Sequence, residues 1–362
     1  MTTGLTLTGG GARGAYQAGA LVELLPALDA AGRRPSILSG ASVGALNATA
    51  LAAAAHLPVD EQVAALTSVW AQVRERDVLE PFVRRAPQVL LRYASELSPF
   101  PGPRLRGLVG TAPLRATIAR WVDWDQVEAN VGDDGPLDTL LVMATAVATG
   151  RATAFVAGAV PDEGERRVRY VPTRLGADHL VASASIPLLF EATHVEDPPE
   201  AAGWYSDGST RLSRPVSPVI DAGADDVVVV STTGLGEVPD HTGAREAEPD
   251  LADVGVNVLE ALVRDVLIDD LDRCHRQHDV DCLVVAPEDP LALGDLARQV
   301  MDDRHRHPTG ALRSDLPLID WALGSESPRQ GELLSYLLFD PDFVAGAMEL
   351  GAADARRALE GL

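Results

Sequence analysis

The segment Gly40-Ala41-Ser42-Val43-Gly44 sets a serine among small residues, with a strand-like tetrapeptide before it and an alanine-rich stretch after it. A serine on a sharp strand-to-helix turn needs such neighbours. They let its strained backbone clear the flanking elements while the hydroxyl stays exposed as a nucleophile. The competing reading is a plain glycine-rich turn, which a chain with 32 glycines can supply. A second cluster, Gly9-Gly10-Gly11-Ala12-Arg13-Gly14, separates the first strand from the first helix. Consecutive glycines let backbone N–H groups converge on an anion, helped by the helix N-terminus. That anion is a phosphate or the oxyanion of acyl transfer. No side chain is expected to be tolerated at Gly10 or Gly11, because a Cβ would enter the anion's space and positive φ would be strained. Gly9, Gly11 and Gly14 also satisfy G-x-G-x-x-G, but a dinucleotide site wants an acidic residue at the end of the second strand. Ser39-Gly40 stand there instead.

A serine nucleophile needs a base. Asp207-Gly208 by itself reads as a turn, yet beside such a serine Asp207 becomes the leading carboxylate. Of the 8 histidines, His56, His179 and His194 lie in the sheet-forming part and none has a recognisable triad context, so packing or surface roles are expected. A Ser-His-Asp hydrolase would instead need a late histidine, one of His275, His278, His305 or His307. No H-E-x-x-H or clustered ligand set is present, so neither metal nor cofactor is expected.

Together these motifs resemble the patatin-like phospholipase family: G-G-G-x-[K/R]-G, then G-x-S-x-G, then D-G-[G/A], the last standing here as Asp207-Gly208-Ser209. The block Ala182-Ser-Ala-Ser-Ile-Pro-Leu-Leu-Phe190 is similar to the family's A-S-x-x-x-P segment. The resemblance implies Ser42 as nucleophile and Asp207 as general base. It implies the N–H groups of Gly10, Gly11 and Ala12 as oxyanion hole, with Arg13 supporting that loop. Gly9, Gly14, Gly40, Gly44 and Gly208 would shape the turns. Two positions depart from the family pattern, Ser209 for a second glycine and Ser213 for an asparagine. The implied activity is hydrolysis of lipid acyl esters, of phospholipase A or lysophospholipase type, through an acyl-enzyme. A catalytically weak lipid-binding relative is the alternative.

The elements that must position these residues follow from periodicity. Residues 5–8 and 36–39 read as strands, each followed by a helix, at 15–31 and 45–55. Residues 140–147, 168–171, 226–231 and 282–286 are further strands. The run Val227-Val-Val-Val230 is continuously apolar, as in a strand covered on both faces. Residues 60–125 read as mainly helical and 234–250 as a loop, with helices at 251–273 and 342–359. The expectation is an α/β fold, a patatin-like three-layer α/β/α core with a mixed, mostly parallel sheet. Residues 4–233 would form the patatin-like domain and residues 234–362 a mainly helical extension packed on it.

The chain carries 53 acidic and 30 basic side chains among 362 residues, all the basic ones arginine, for a net charge of −23. That charge argues against non-specific nucleic-acid binding, which needs many cations. Cys274 and Cys282 suggest neither a zinc site nor a disulfide scaffold, so a reducing compartment is expected. Residues 36–59 are uncharged and long enough to span a bilayer. Their glycines, Asn47, His56 and Pro58 fit a buried strand, turn and helix better. A cytoplasmic protein follows, with peripheral membrane contact as an option. Residues 74–120 would make that contact: they hold nine arginines against four acids, interleaved with leucine and valine.

Overall fold

The computed structural model describes residues 1–80, 107, 110–161, 168–187, 189–212, 215–237, 257–258, 261–277, 280, 282–306 and 330–361. The sheet is built from β1 (Thr3–Leu7), β2 (Ile37–Ala41), β3 (Thr139–Ala146), β4 (Arg151–Gly158), β5 (Val168–Pro172), β6 (Thr193–Val195), β7 (Gly203–Asp207), β8 (Asp226–Val230) and β9 (Cys282–Val285). Its order is β5-β4-β3-β2-β1-β8-β9, with β7 on β3 and β6 on β7. The pairs β1–β2, β1–β8, β2–β3, β4–β5 and β8–β9 are parallel, whereas β3–β4, β3–β7 and β6–β7 are antiparallel. The sheet is therefore mixed and mostly parallel, as expected.

Helices are α1 (Gly14–Ala30), α2 (Val43–Ala54), α3 (Val59–Gln72), α4 (Glu75–Val78), α5 (Ala112–Trp121), α6 (Trp124–Asn130), α7 (Ala177–Ser183), α8 (Ser217–Asp221), α9 (Val266–Gln277), α10 (Ala292–Arg306), α11 (Gln330–Leu337) and α12 (Pro341–Glu360). They cover both faces of the sheet. Along β3, Leu140 and Val142 enter one core with the leucines of α1, whereas Leu141 and Met143 enter a second core with Val219 of α8 and Leu267 of α9. The valines of β8 alternate in the same way. This is the period-2 pattern of a strand buried on both faces.

Strand β4 and the hairpin of β6 and β7 were not expected from the sequence. β7 (Gly-Trp-Tyr-Ser-Asp) is short, opens on glycine and runs into Asp207-Gly208, so its local signal is that of a turn. It becomes a strand because β3 offers it an edge. Residues after 234 contribute β9 to the same sheet and α12 to the face of α1. There Tyr16, buried, donates its hydroxyl to Asp354 at 2.8 Å. The expected helix at 251–273 is a π-helical turn at Ala261–Asp265 leading into α9, with residues 251–256 and 259–260 outside the described residues. Of the arginine-rich segment, Arg84, Arg85, Arg92, Arg104 and Arg106 also lie outside them, as does Ser213. Among the described residues no helix is long and apolar enough to cross a membrane.

A buried polar chain ties the layers together beside the first two crossovers. Asn47 on α2 donates to the Gly14 carbonyl (3.0 Å) and to Gln17 Oε1 (2.9 Å), and accepts from Trp70 Nε1 of α3 (2.9 Å). Gln17 in turn donates to the carbonyls of Thr8 (2.8 Å) and Val230 (3.2 Å). Asn47→Ala would strand the Trp70 N–H and the Gln17 carbonyl oxygen in the core. At about 1–3 kcal/mol for each buried unpaired group, it is expected to destabilise the fold by about 2–6 kcal/mol. Chemical denaturation read by tryptophan fluorescence checks this, and a loss under about 1 kcal/mol would show that the network relaxes around water.

Candidate active site

Parallel pairing of β1 and β2, with Leu7 opposite Gly40, brings the glycine loop after β1 and Ser42 after β2 to the same end of the sheet. The turn between β2 and α2 is tight. Ser42 has φ 55°, and it is the non-glycine residue with positive φ among the described residues. A backbone there is strained for any side chain and persists only where its surroundings hold it. Here the Ser183 hydroxyl accepts from the Ser42 N–H at 3.0 Å, and the Ser42 carbonyl accepts the Ala45 N–H at 3.0 Å. A Cβ on Gly40 would strike the Gly44 backbone, and one on Gly44 would strike the Leu7 carbonyl of β1, so both motif glycines are demanded by the closeness of the strands and helix.

Asp207 reaches this serine through β3. β2 pairs with β3 as far as Ala41 opposite Met143, and β7 takes over with Asp207 opposite Ala144. The last residue of β7 thus lies end-on to the residue that follows β2. The Ser42 side chain comes near enough to the Asp207 carboxylate to favour its ionised form. The carboxylate accepts the Ser209 N–H at 2.8 Å, and the Asp207 backbone is fixed by the Ser185 carbonyl (2.8 Å) and the Thr145 hydroxyl (2.9 Å). Asp207 is only 5% exposed. Burial pushes its pKa up to about 6, and the Ser42 side chain and the hydrogen bonds from Ser209 limit that rise.

In the glycine loop, Arg13 N–H donates to the Gly10 carbonyl at 3.1 Å, closing a 3-10 turn over Gly11–Arg13. No hydrogen bond among the described residues occupies the N–H groups of Gly10, Gly11 or Ala12. Close packing demands the glycines in addition to the expected backbone strain, which holds at one of the two. A Cβ on Gly10 would meet the Thr232 side chain, its Cβ 2.7 Å away, and one on Gly11 would meet the Tyr336 carbonyl. Packing against the loop by itself leaves no room for a side chain at either position. Left-handed backbone is needed at Gly11 (φ 56°), not at Gly10.

Ser42 and Gly11 open onto a cavity that extends to solvent. Its wall is apolar, with Leu46 from α2, Trp70 from α3, Ile118 from α5 and Phe190 from the loop after α7. Among the described residues no hydrogen bond joins a histidine to Ser42. His179 is buried and its pKa is lowered by desolvation. Its Nδ1 accepts the Gly176 N–H (3.0 Å), so the protonated Nε2 donates to the Asp197 carbonyl (2.9 Å). His56 contacts Asn130, and His194 packs on Trp204. His278 and His307, and the His305 side chain, lie outside the described residues. Among the described residues no cluster of three or more His, Cys, Asp or Glu side chains could hold a metal.

The reading of motifs missed several supporting residues. Ser183 lay within a recognised block without a role, while Thr232 and the α11 residues Glu332 and Ser335 carried no local signal. Such groups become visible only when distant segments meet. No match was found among curated proteins. Among solved structures, VipD from Legionella pneumophila aligns at 12% identity with a TM-score of 0.35, over 99% of this chain and 67% of that one. The model of the patatin-like phospholipase family matches residues 5–220, more than half of the chain and all of the segments just described up to α8. The chain belongs to the patatin-like phospholipase family.

Proposed function

We propose that this protein is a serine acyl hydrolase that cleaves ester bonds of lipids, of phospholipase A or lysophospholipase type. The observation that carries the reading is the meeting of Ser42, after β2, with the buried Asp207 carboxylate at the end of β7, with Ser42 facing an apolar cavity. The acyl chain would lie in that cavity, where apolar burial stabilises it by about 0.8 kcal/mol per CH₂. Asp207 takes the serine proton as Oγ attacks the acyl carbonyl. The N–H groups of Gly10, Gly11 and Ala12 receive the oxyanion. Collapse of the tetrahedral intermediate breaks the ester C–O bond, and the leaving alcohol takes the proton from Asp207. Water, deprotonated by Asp207, then releases the fatty acid and restores the Ser42 hydroxyl.

Wild-type protein incubated with a mixed lipid panel is expected to release free fatty acid, detected by mass spectrometry, and Ser42→Ala is expected to release none. A fluorophosphonate should label Ser42 covalently. Labelling that persists in Ser42→Ala would remove the serine from the mechanism.

The raised pKa of Asp207 sets a pH dependence. A general base must be ionised, so kcat/KM is expected to fall below pH about 6 as Asp207 protonates. Asp207→Asn should lower turnover by roughly 10² or more and abolish that acid limb. The stability sign is opposite. Because the folded pKa of about 6 exceeds the ordinary 3.8, ionised Asp207 opposes folding above pH 6, and the effect vanishes below about 3.8. Asp207→Asn is therefore expected to be more stable than wild type at pH 8, by up to about 3 kcal/mol, and equal to it near pH 3.5. A variant destabilised at pH 8 would show that the carboxylate is held for structure.

A peripheral membrane contact through residues 74–120 is part of the proposal. Helix α5 turns Leu114 and Ile118 to the cavity and leaves Arg115 and Arg120 exposed; Asp178 and Asp77, respectively, face these two arginines and partly neutralise them. The remaining cationic side chains would have to supply the attraction. At about 1 kcal/mol per arginine near an anionic surface, replacing Arg84, Arg85 and Arg92 by glutamine is expected to weaken binding to anionic vesicles tens-fold or more at low salt. Hydrolysis of a soluble ester should hardly change. Equal vesicle binding by wild type and the triple variant would make the segment an ordinary solvated face.

A further inference from the structure

Far beyond the family-matched region the chain returns to the glycine loop. Arg13, 1% exposed, points its guanidinium into α11. Its Nε donates to Ser335 Oγ at 2.7 Å, and a terminal nitrogen donates to Glu332 Oε2 (2.5 Å) and to the Glu332 carbonyl (3.0 Å). The guanidinium also lies over the Tyr336 ring, 4.2 Å from its centroid. Glu332 is 6% exposed and Ser335 fully buried, so water does not solvate the ion pair. A cation in such a place is tolerable only when its donors are matched. Those partners sit 319 and 322 residues downstream.

The connection from this clamp to the reacting atoms is short. The Arg13 N–H closes the 3-10 turn on the Gly10 carbonyl (3.1 Å), so the clamped side chain and the free N–H groups belong to one rigid turn. Tyr336 abuts the same turn, its carbonyl facing Gly11. Tyr336 and Leu337 also line the cavity, whereas Glu332 and Ser335 do not. The two polar residues of α11 therefore touch the loop without touching the space for substrate.

We infer that Glu332 and Ser335 are positioning residues. By holding Arg13 they set the N–H groups of Gly10, Gly11 and Ala12 against the carbonyl that Ser42 attacks. The inference rests on the proposed acylation of Ser42 and adds a requirement: the segment after residue 234 completes the oxyanion hole. Donors of this kind act only when aimed at the developing charge, and a displacement of about 1 Å costs on the order of 10²-fold in rate. A positioning role predicts a loss in kcat with KM nearly unchanged, because the cavity wall is intact.

The test uses the full chain and a soluble short-chain ester. Removing Glu332 alone would strand a buried cation and endanger the fold. The double variant Arg13→Met/Glu332→Gln instead replaces the pair by neutral groups of similar size. It is expected to melt like wild type, to lose on the order of 10²-fold in kcat and to keep its KM. Affinity for a trifluoromethyl ketone, which forms an oxyanion on Ser42, should fall in parallel. Ser335→Ala keeps the ion pair and removes one acceptor; a kcat loss of about tenfold is expected, a fraction of the loss for a misplaced donor. A folded double variant with wild-type kcat, or losses confined to KM, overturns the inference. Should the double variant fail to fold, unchanged kcat in Ser335→Ala overturns it instead. Ester hydrolysis that survives Ser42→Ala overturns the functional reading and the inference with it. Loss in Ser42→Ala beside full activity in the α11 variants overturns the inference alone.

Discussion

Along one edge of β3 the backbone hydrogen-bonding groups are divided between two partners. β2 occupies the edge from Thr139 to Met143 in parallel, and β7 occupies it from Ala144 to Ala146 in the opposite direction. The end of β2 and the end of β7 must therefore face one another. Ser42 follows one and Asp207 closes the other, so sheet pairing alone brings these two residues to one place. Everything else at the site refines that junction. The parallel neighbour β1 brings the glycine loop to the same end, and β8 brings Thr232 beneath it, in the gap that a side chain on Gly10 would need.

The junction also explains the electrostatics. A carboxylate in a sheet interior is poorly solvated, which raises its pKa, and it remains ionisable because the Ser42 side chain and the hydrogen bonds from Ser209 favour the charged form. The same burial that raises the pKa of Asp207 costs stability when the carboxylate is ionised. Strain is placed with similar economy: the left-handed backbone at Ser42 is held by Ser183 on one side and the first turn of α2 on the other. An apolar cavity lies beside this polar cluster, with Ser42 and Gly11 in its wall.

Residues after 234 take part in the same construction. β9 extends the sheet beyond β8, α12 lies along α1, and α11 encloses the side chain of Arg13. Arg304 of α10 pairs with Asp340 and Asp342 at the start of α12, so the late helices are also tied to one another. The glycine loop thus lies between the first crossover of the sheet and a helix from the far end of the chain.

The sequence by itself determined the contiguous features: the strand-turn-helix around Ser42, the glycine loop, the valine run of strand β8 and the expectation of a mixed, mostly parallel sheet. These are legible because every residue that gives them their geometry lies within a few positions in the chain. Asp207 was legible as a carboxylate in need of a partner, and its place on a strand was not, because β7 has a turn's composition and is a strand only on the edge of β3. The necessity of Gly10 was legible but its cause was not, since Thr232 lies 223 residues from the neighbouring Gly9 that its hydroxyl contacts. Glu332 and Ser335 carried no signal: a buried acid and a buried serine look like any others until an arginine from the first loop arrives between them. Tertiary structure decided these points, because desolvation and hydrogen bonding act between groups that share a place, whatever their separation along the chain.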